Sequence, residues 1–427
     1  MILLVALVLR LGAVIPIHGQ GYASEERVFI FMGQSIAGSG VFVDPEGGRS
    51  VRAPLYPAIL ALSFFLFGKS LVIPHLIGCL LGVVSVALVY ALSKQIWDSE
   101  RAALFAAGAT ALHPGMIIYS ALLQSEVVYV CLFLAVLLIA YRALETRDLM
   151  LVLIFGVVAA LTALTRAVFL GFFPLLLASI WLIRRRGKLA GGRVVLVALL
   201  EFCLVVAPWT VRNYYVHHAF VPIATVTGGS LLVGNNPFVH GTPKLPSFFD
   251  DWVREKASER GIEDFDSLSE VQQSSVKKDI ALAYIASDPV HGAHLALQKL
   301  FVFLVYPITY ADSSPWVKGV AVGADAVLLL GMVVGIVVTW RHRFDLLPLY
   351  LLIVCSAGTH MILHAEGRYR LPLVPVFALF FGCAGAVLSD PGTFFKTRSA
   401  KIVVAVLCSA VVLLYAATAW LFINGKI

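Results

Sequence analysis

Residues 71–93 read LVIPHLIGCLLGVVSVALVYALS, a run without a single Asp, Glu, Lys or Arg. About 20 such residues in a helix cross the hydrocarbon core of a bilayer. Water is absent there, so a backbone must satisfy its own hydrogen bonds, and a helix does so within one segment. Working outward, comparable runs occupy 2–17, 102–119, 124–141, 149–165, 167–183, 194–209, 317–340, 345–363, 371–389 and 401–423. About eleven transmembrane helices are therefore expected. The whole chain agrees: 60% of its 427 residues are hydrophobic and 13% charged, with a mean hydropathy of +0.90. Soluble domains carry about 25% charged residues. An ordinary soluble enzyme and a disordered chain are both excluded, and the expected fold is an all-α polytopic membrane protein.

The net charge of +7 raises the question of nucleic acid, which its placement answers. Fourteen Lys and Arg, including Lys94, Arg142, the run Arg184-Arg185-Arg186 and Arg341, fall in one set of short loops, against six in the opposite set. Cytoplasmic loops carry such an excess, so the first set faces the cytoplasm and no nucleic-acid partner is implied. Three parts follow. Residues 1–209 form an N-terminal transmembrane module with an external first loop at 18–68, which ends in an apolar stretch too short to span and suited to an interfacial helix. Residues 210–316 form an external loop domain, and 317–427 the C-terminal helices. Within the external part, Ser267 followed by Glu270 reads as a capping box opening a helix that stops before Pro289, and 291–311 reads as an outer-surface helix. All six cysteines lie in apolar runs, as small buried hydrophobes with no disulfide or cysteine metal site.

Unusual polar residues gather on the outer side. They are Glu25-Glu26 after the first span, Arg52-Ala-Pro-Leu-Tyr56-Pro opening the interfacial helix, and Gln124-Ser-Glu126 opening the fourth span. Trp209-Thr-Val-Arg212-Asn213 ends the seventh, Gly234-Asn235-Asn236-Pro follows, and Glu366-Gly-Arg368-Tyr-Arg370 precedes the tenth. A substrate with a lipid tail and a phosphate head keeps its tail in the bilayer. Arginine presents a planar fork that matches phosphate oxygens, and a nearby carboxylate can take a proton from an acceptor hydroxyl. Glycosyl transfer from a lipid phosphate needs those two roles.

The ordered set of motifs, with this topology, resembles the C-type membrane glycosyltransferases that use polyprenyl-phosphate sugars, such as aminoarabinose transferases and protein O-mannosyltransferases. The resemblance covers nearly the whole chain, including Leu164-Thr-Arg166 between two spans. It implies an enzyme of the plasma membrane with its active site on the extracytoplasmic side, working by inversion. Its partners would be a polyprenyl-phosphate sugar donor, a lipid, protein or glycan acceptor, and membrane lipids. The family's first loop typically reads Asp-Glu-x-x-Tyr, and the matching positions here are Glu25, Glu26 and Phe29. Glu25 is the implied base, with Glu26 as fallback and Glu126 as the second acidic position. Arg52, Arg368, Arg370 and Arg166 are implied at the donor phosphate, and Tyr56, Trp209, Arg212, Asn213, Asn235 and Asn236 along the substrate cavity. Two carboxylates at one site could also coordinate Mg2+ or Mn2+.

Each feature has an ordinary alternative: a solvated Glu pair, interfacial arginine anchors, a helix-end Trp, glycine pairs in turns. The outer-side histidines, among them His217, His360 and His364, read as surface or interfacial residues. Glu201, alone in an apolar run, should be paired within the bundle, with Arg10 as the candidate partner. A flippase of lipid-linked sugars, or a polymerase using lipid-diphosphate oligosaccharides, shares the polytopic form. The flippase predicts polar residues through the membrane interior and an internal repeat, and no repeat is visible.

Overall fold

The computed structural model describes residues 1–19, 24–145, 148–187, 191–240, 245–306, 308, 315–389, 404–413 and 415–416. Its regular structure is helical, with no strand element among the described residues. The N-terminal half holds α1 (Ile2–Gly19), α2 (Ser24–Ser39), α3 (Leu55–Phe67), α4 (Val72–Trp97), α5 (Glu100–Leu112) and α6 (Pro114–Ala121). It continues through α7 (Glu126–Glu145), α8 (Leu149–Thr165), α9 (Phe169–Arg186) and α10 (Gly191–His217). Then come α11 (Thr227–Gly234), α12 (Phe249–Ser258), α13 (Glu270–Ser287) and α14 (Pro289–Val305). The chain closes with α15 (Pro315–Thr339), α16 (Leu347–Ile362) and α17 (Leu373–Leu388), and Val404–Leu413 is helical.

Where their residues are described, the expected spans fall on helix, but length separates them. α4, α7, α10 and α15 are long and apolar enough to cross a membrane; α5 with α6 makes a fifth if the bent pair is one span. The count of eleven thus depends on shorter helices such as α8, α16 and α17. The run 401–423 lies partly outside the described residues. α7 is central, with 72% of its apolar window buried against 22% for α10. Its Phe133 meets Phe169 and Phe172 of α9, ring centroids 6.2 and 5.7 Å apart.

Four local expectations are corrected. The span at 102–119 is not continuous: α5 and α6 are bent by 55° at His113. Pro114 lacks an N–H and disfavours helical geometry in the residue before it, and His113 accordingly has ψ 122°. Second, Glu25 and Glu26 do not sit on a loop but in the first turn of α2, where the helix dipole favours negative charge. Third, the capping box of α13 is Ser269 with Gln272, two residues later than expected, although the helix does stop at Ser287. Fourth, Gly228 and Gly229 belong to α11 rather than to a turn. Gly228 is needed there because a Cβ would collide with the Ser274 carbonyl of α13.

The two lone charges of the apolar runs do not pair with each other. Arg10 is wholly buried and donates to the carbonyls of Ala6 and Ala111 at 3.0 and 3.3 Å. Ala111 is in the last turn of α5, where the break orphans its carbonyl, so Arg10 caps that helix end. Glu201 instead packs its side chain over Gly156 of α8. The six cysteines are free; Cys79 and Cys131 are buried, but Cys355, Cys383 and Cys408 are only half-buried and Cys203 is exposed.

α2 and α3 pair as a hairpin. Gly33 lets them approach, since a Cβ there would lie 2.7 Å from that of Leu60. Phe29, Tyr56, Leu60 and Phe64 form a small core with Val127 and Val128 of α7. The opposite side of α3 exposes Leu62, Phe65, Leu66 and Phe67. A second core, including Leu232, Phe249, Val253, Phe265 and Ile280, joins α11, α12 and α13. That core is what makes the segment after α10 a folded unit.

Candidate active site

The hairpin sets Glu25 between two guanidinium groups. Its Oε1 accepts from Arg52 Nη2 at 2.9 Å and its Oε2 from Arg368 Nη1 at 3.3 Å. Arg52 stands just before α3, and Arg368 lies in a short 3-10 turn, Gly367–Arg370. Burial by itself would favour the protonated acid. The charges of Arg368, Arg52 and Arg166 outweigh it and hold the Glu25 carboxyl below the usual glutamate range. Glu26, next in the helix, points the other way: it is wholly buried and accepts from the backbone N–H of Leu123 at 2.9 Å.

Glu126 opens α7 opposite this pair. Its Oε1 meets Arg166 Nη1 at 2.7 Å, and its other oxygen is buried without a hydrogen-bond partner. Arg166 caps α8 in extended geometry, which turns its side chain off the helix toward the site. Tyr369 ties the two arginines together, with the Arg166 and Arg368 guanidinium carbons 5.4 and 5.2 Å from its ring centre. Such contacts are favourable because the ring face is electron-rich. Arg368 Nε is also 2.6 Å from Glu366 Oε2, an ion-pair contact without hydrogen-bond alignment.

Two histidines support Tyr369. His360 stacks flat on it, with ring centroids 4.7 Å apart. Its Nδ1 lies 3.0 Å from the His364 carbonyl; a carbonyl only accepts, so Nδ1 carries the proton. His364 Nε2 lies 2.7 Å from the Tyr369 hydroxyl. Burial, and then the charge of Arg368, lower the His364 pKa to about 4, so it is neutral at pH 7. Burial pushes the Tyr369 phenol up to about 12.

Glu25, Glu126, Arg52, Arg166 and Arg368 are thus brought together, with Glu366, Tyr369 and His364 added. Arg370 is not among them. It is buried and donates to Asp325 Oδ2 at 2.5 Å and to the Phe303 carbonyl at 2.6 Å. The residues expected along a cavity mostly hold the site's frame. Tyr56 is buried edge-on against Phe29. Trp209 Nε1 donates to the Ile223 carbonyl at 2.8 Å, and Arg212 donates to the Arg49 carbonyl at 2.7 Å and to Ser50 Oγ at 2.9 Å. Asn213 accepts from Ser50 Oγ at 2.8 Å. Asn235 and Asn236 are buried and donate to the carbonyls of Leu231 and Leu232. Glu270 completes the frame, accepting from the backbone N–H groups of Arg49 and Ser50. The approach of Arg52 is therefore fixed from α10 and α13 together.

Among the described residues no three His, Cys, Asp or Glu side chains converge on one point, and both oxygens of Glu25 carry guanidinium donors.

Residues 51–211 match the family described as dolichyl-phosphate-mannose-protein mannosyltransferase. No curated protein matches the chain. Among solved structures, the archaeal oligosaccharyltransferase AglB from Archaeoglobus fulgidus, in complex with an inhibitory peptide and a dolichol-phosphate, superposes with a TM-score of 0.58 at 15% identity, over 97% of this chain and 54% of its own. The same enzyme's complex with Zn and sulfate gives 0.55 at 13% identity, over 98% and 52%. ArnT from Cupriavidus metallidurans bound to undecaprenyl phosphate gives 0.43 at 15% identity, over 91% and 78%. The chain spans about half the length of the archaeal enzyme. Its fold is that of the archaeal oligosaccharyltransferase's matching half, and its residues 51–211 match the sequence pattern of the dolichyl-phosphate-mannose-protein mannosyltransferase family.

Proposed function

We propose that this protein is a glycosyltransferase that moves one sugar from a polyprenyl-phosphate carrier to an acceptor hydroxyl, with inversion, at the extracytoplasmic face of the plasma membrane. The observation that carries this reading is the seat of Glu25 between Arg52 and Arg368. A carboxylate that bridges two guanidinium groups occupies donors that also fit phosphate. When the donor's phosphate takes those N–H groups, Glu25 is released as a base beside the anomeric carbon. The acceptor oxygen then bonds to that carbon, its proton passes to Glu25, and the bond from the anomeric carbon to the phosphate oxygen breaks. The carrier phosphate leaves with one more negative charge than it brought, and Arg52 and Arg368 stabilise that charge as it forms. Arg166, held by Glu126, adds to the positive field. The free oxygen of Glu126 is available to orient the acceptor hydroxyl. Residues 210–316 would cap the site from outside and shape acceptor choice.

The test supplies membranes carrying wild type or Glu25→Gln with a panel of labelled polyprenyl-phosphate sugars and native membrane extract. Release of polyprenyl phosphate by wild type alone supports the reading and identifies the sugar. Equal release from both would remove Glu25 as the base. No release with any donor from folded wild type would remove the transferase.

A further inference from the structure

Asp325 is an ionisable residue deep in the apolar helix α15, and its side chain is 2% exposed. A charge in such a place persists only when it is paired. Its Oδ1 lies 3.0 Å from His113 Nε2, and its Oδ2 accepts from Arg370 at 2.5 Å. Both partners are buried as well. His113 is the residue at which α5 breaks into α6, and α6 leads into the segment that presents Glu126. Arg370 belongs to the same short turn as Arg368. The two arginines point apart, Arg368 to Glu25 and Arg370 to Asp325. Arg370 is further pinned by the carbonyls of Phe303 and Tyr306 at the end of α14. Ile308 closes on the break, since a Cβ on Gly115 would come within 2.6 Å of it.

We propose that Asp325 is a positioning residue: it locks the Gly367–Arg370 turn to the broken α5–α6 span, so that Arg368 and Glu126 are held in register across the site. The proposal rests on the transferase reading given above. Asp325 touches no reacting atom. Its effect travels through Arg370 along the turn to Arg368, and through His113 along α6 to Glu126.

The experiment measures polyprenyl-phosphate affinity and donor KM in purified full-length protein. Its central variant is Asp325→Asn with Arg370→Met, which removes both buried charges and leaves neither uncompensated. The expected result is a folded protein whose affinity drops and whose donor KM rises together, by roughly ten- to a hundredfold, the scale on which a hydrogen bond between charged groups is lost. Adding Arg368→Gln should then cost little further, because Arg368 has already left its place. A folded double variant with wild-type affinity, in which Arg368→Gln costs as much as it does in wild type, overturns the proposal and leaves the transferase standing. Wild type that neither binds polyprenyl phosphate nor turns over any donor overturns both. If the double variant does not fold, Asp325→Glu carries the same test. It keeps the charge and lengthens the arm, so weakened affinity supports the lock and unchanged affinity refutes it.

Discussion

Glu25 and Arg368 stand 343 residues apart in the chain and 3.3 Å apart in the fold. With Arg52 on its other oxygen, Glu25 closes a link between the first helical hairpin and the turn that precedes α17. The pair is only partly screened from solvent, 29% exposed at Glu25 and 17% at Arg368, so a substrate can reach it. Through Glu25, Arg52, inside the part of the chain matched by the mannosyltransferase family, is linked to a turn well outside that part.

Competition at those guanidinium groups has a measurable sign. Glu25→Gln removes an anion that holds the donors phosphate would use, so polyprenyl phosphate should bind several-fold more tightly, since partly exposed ion pairs contribute about 0.2–1 kcal/mol each. Turnover should fall by roughly a hundredfold or more, the range for loss of a general base. Calorimetry with polyprenyl phosphate, beside a release assay, reads both. Weaker binding would refute the idea that Glu25 and phosphate share a seat.

His364 couples stability to pH. Its pKa is about 4 in the fold against 6.5 when free, so the unfolded chain takes up the proton first as pH falls. The stabilisation is complete above about 6.5, is lost progressively down to about 4, and stays lost below. Integrated over that window it amounts to about 3 kcal/mol. Thermal melts of wild type and His364→Asn should differ most in slope between those pH values, with wild type the steeper. Parallel curves would show that His364 titrates normally.

Glu126 and Arg166 test the second ion pair. Removing one partner leaves the other buried and uncompensated, which costs about 3–5 kcal/mol in a buried setting. Arg166 is 24% exposed, so the lower end applies. Arg166→Met should lower the melting temperature clearly, and Glu126→Gln in the same chain should recover most of the loss. Additive losses would mean the pair is not coupled.

The grip of Glu270 on the backbone of Arg49 and Ser50 should matter for Arg52, three residues beyond the first. Glu270→Ala is expected to raise donor KM several-fold with a smaller change in kcat, because it frees the approach of Arg52 rather than removing a reacting group. A pure kcat effect would place Glu270 elsewhere in the mechanism.

The acidic and basic members of the candidate site stand out in the sequence, since charges are rare in this chain and those flanking apolar runs are conspicuous. Their partners do not. Arg368 and Arg370 looked equivalent, yet one faces Glu25 and the other Asp325, a choice made by two side chains leaving opposite sides of one turn. Asp325 itself carried a usable signal. Like Glu201, it is a lone acid in an apolar run, and of those two residues Asp325 is the ion-paired one. His360 and His364 looked like surface residues because nothing in their spacing shows the ring of Tyr369 beside them.

By itself the sequence determined the helical membrane class and most helix positions, because both follow from local hydrophobicity and from the obligation of a backbone in lipid to bond to itself. The break at His113 falls inside a run whose hydrophobicity is continuous, so hydropathy alone does not show it. The tertiary structure decided which charges meet. Ion pairs such as Glu25 with Arg368 depend on how helices far apart in the chain pack at about 10 Å or less. That packing is set by side-chain shape summed over the whole bundle, which no local stretch of residues records.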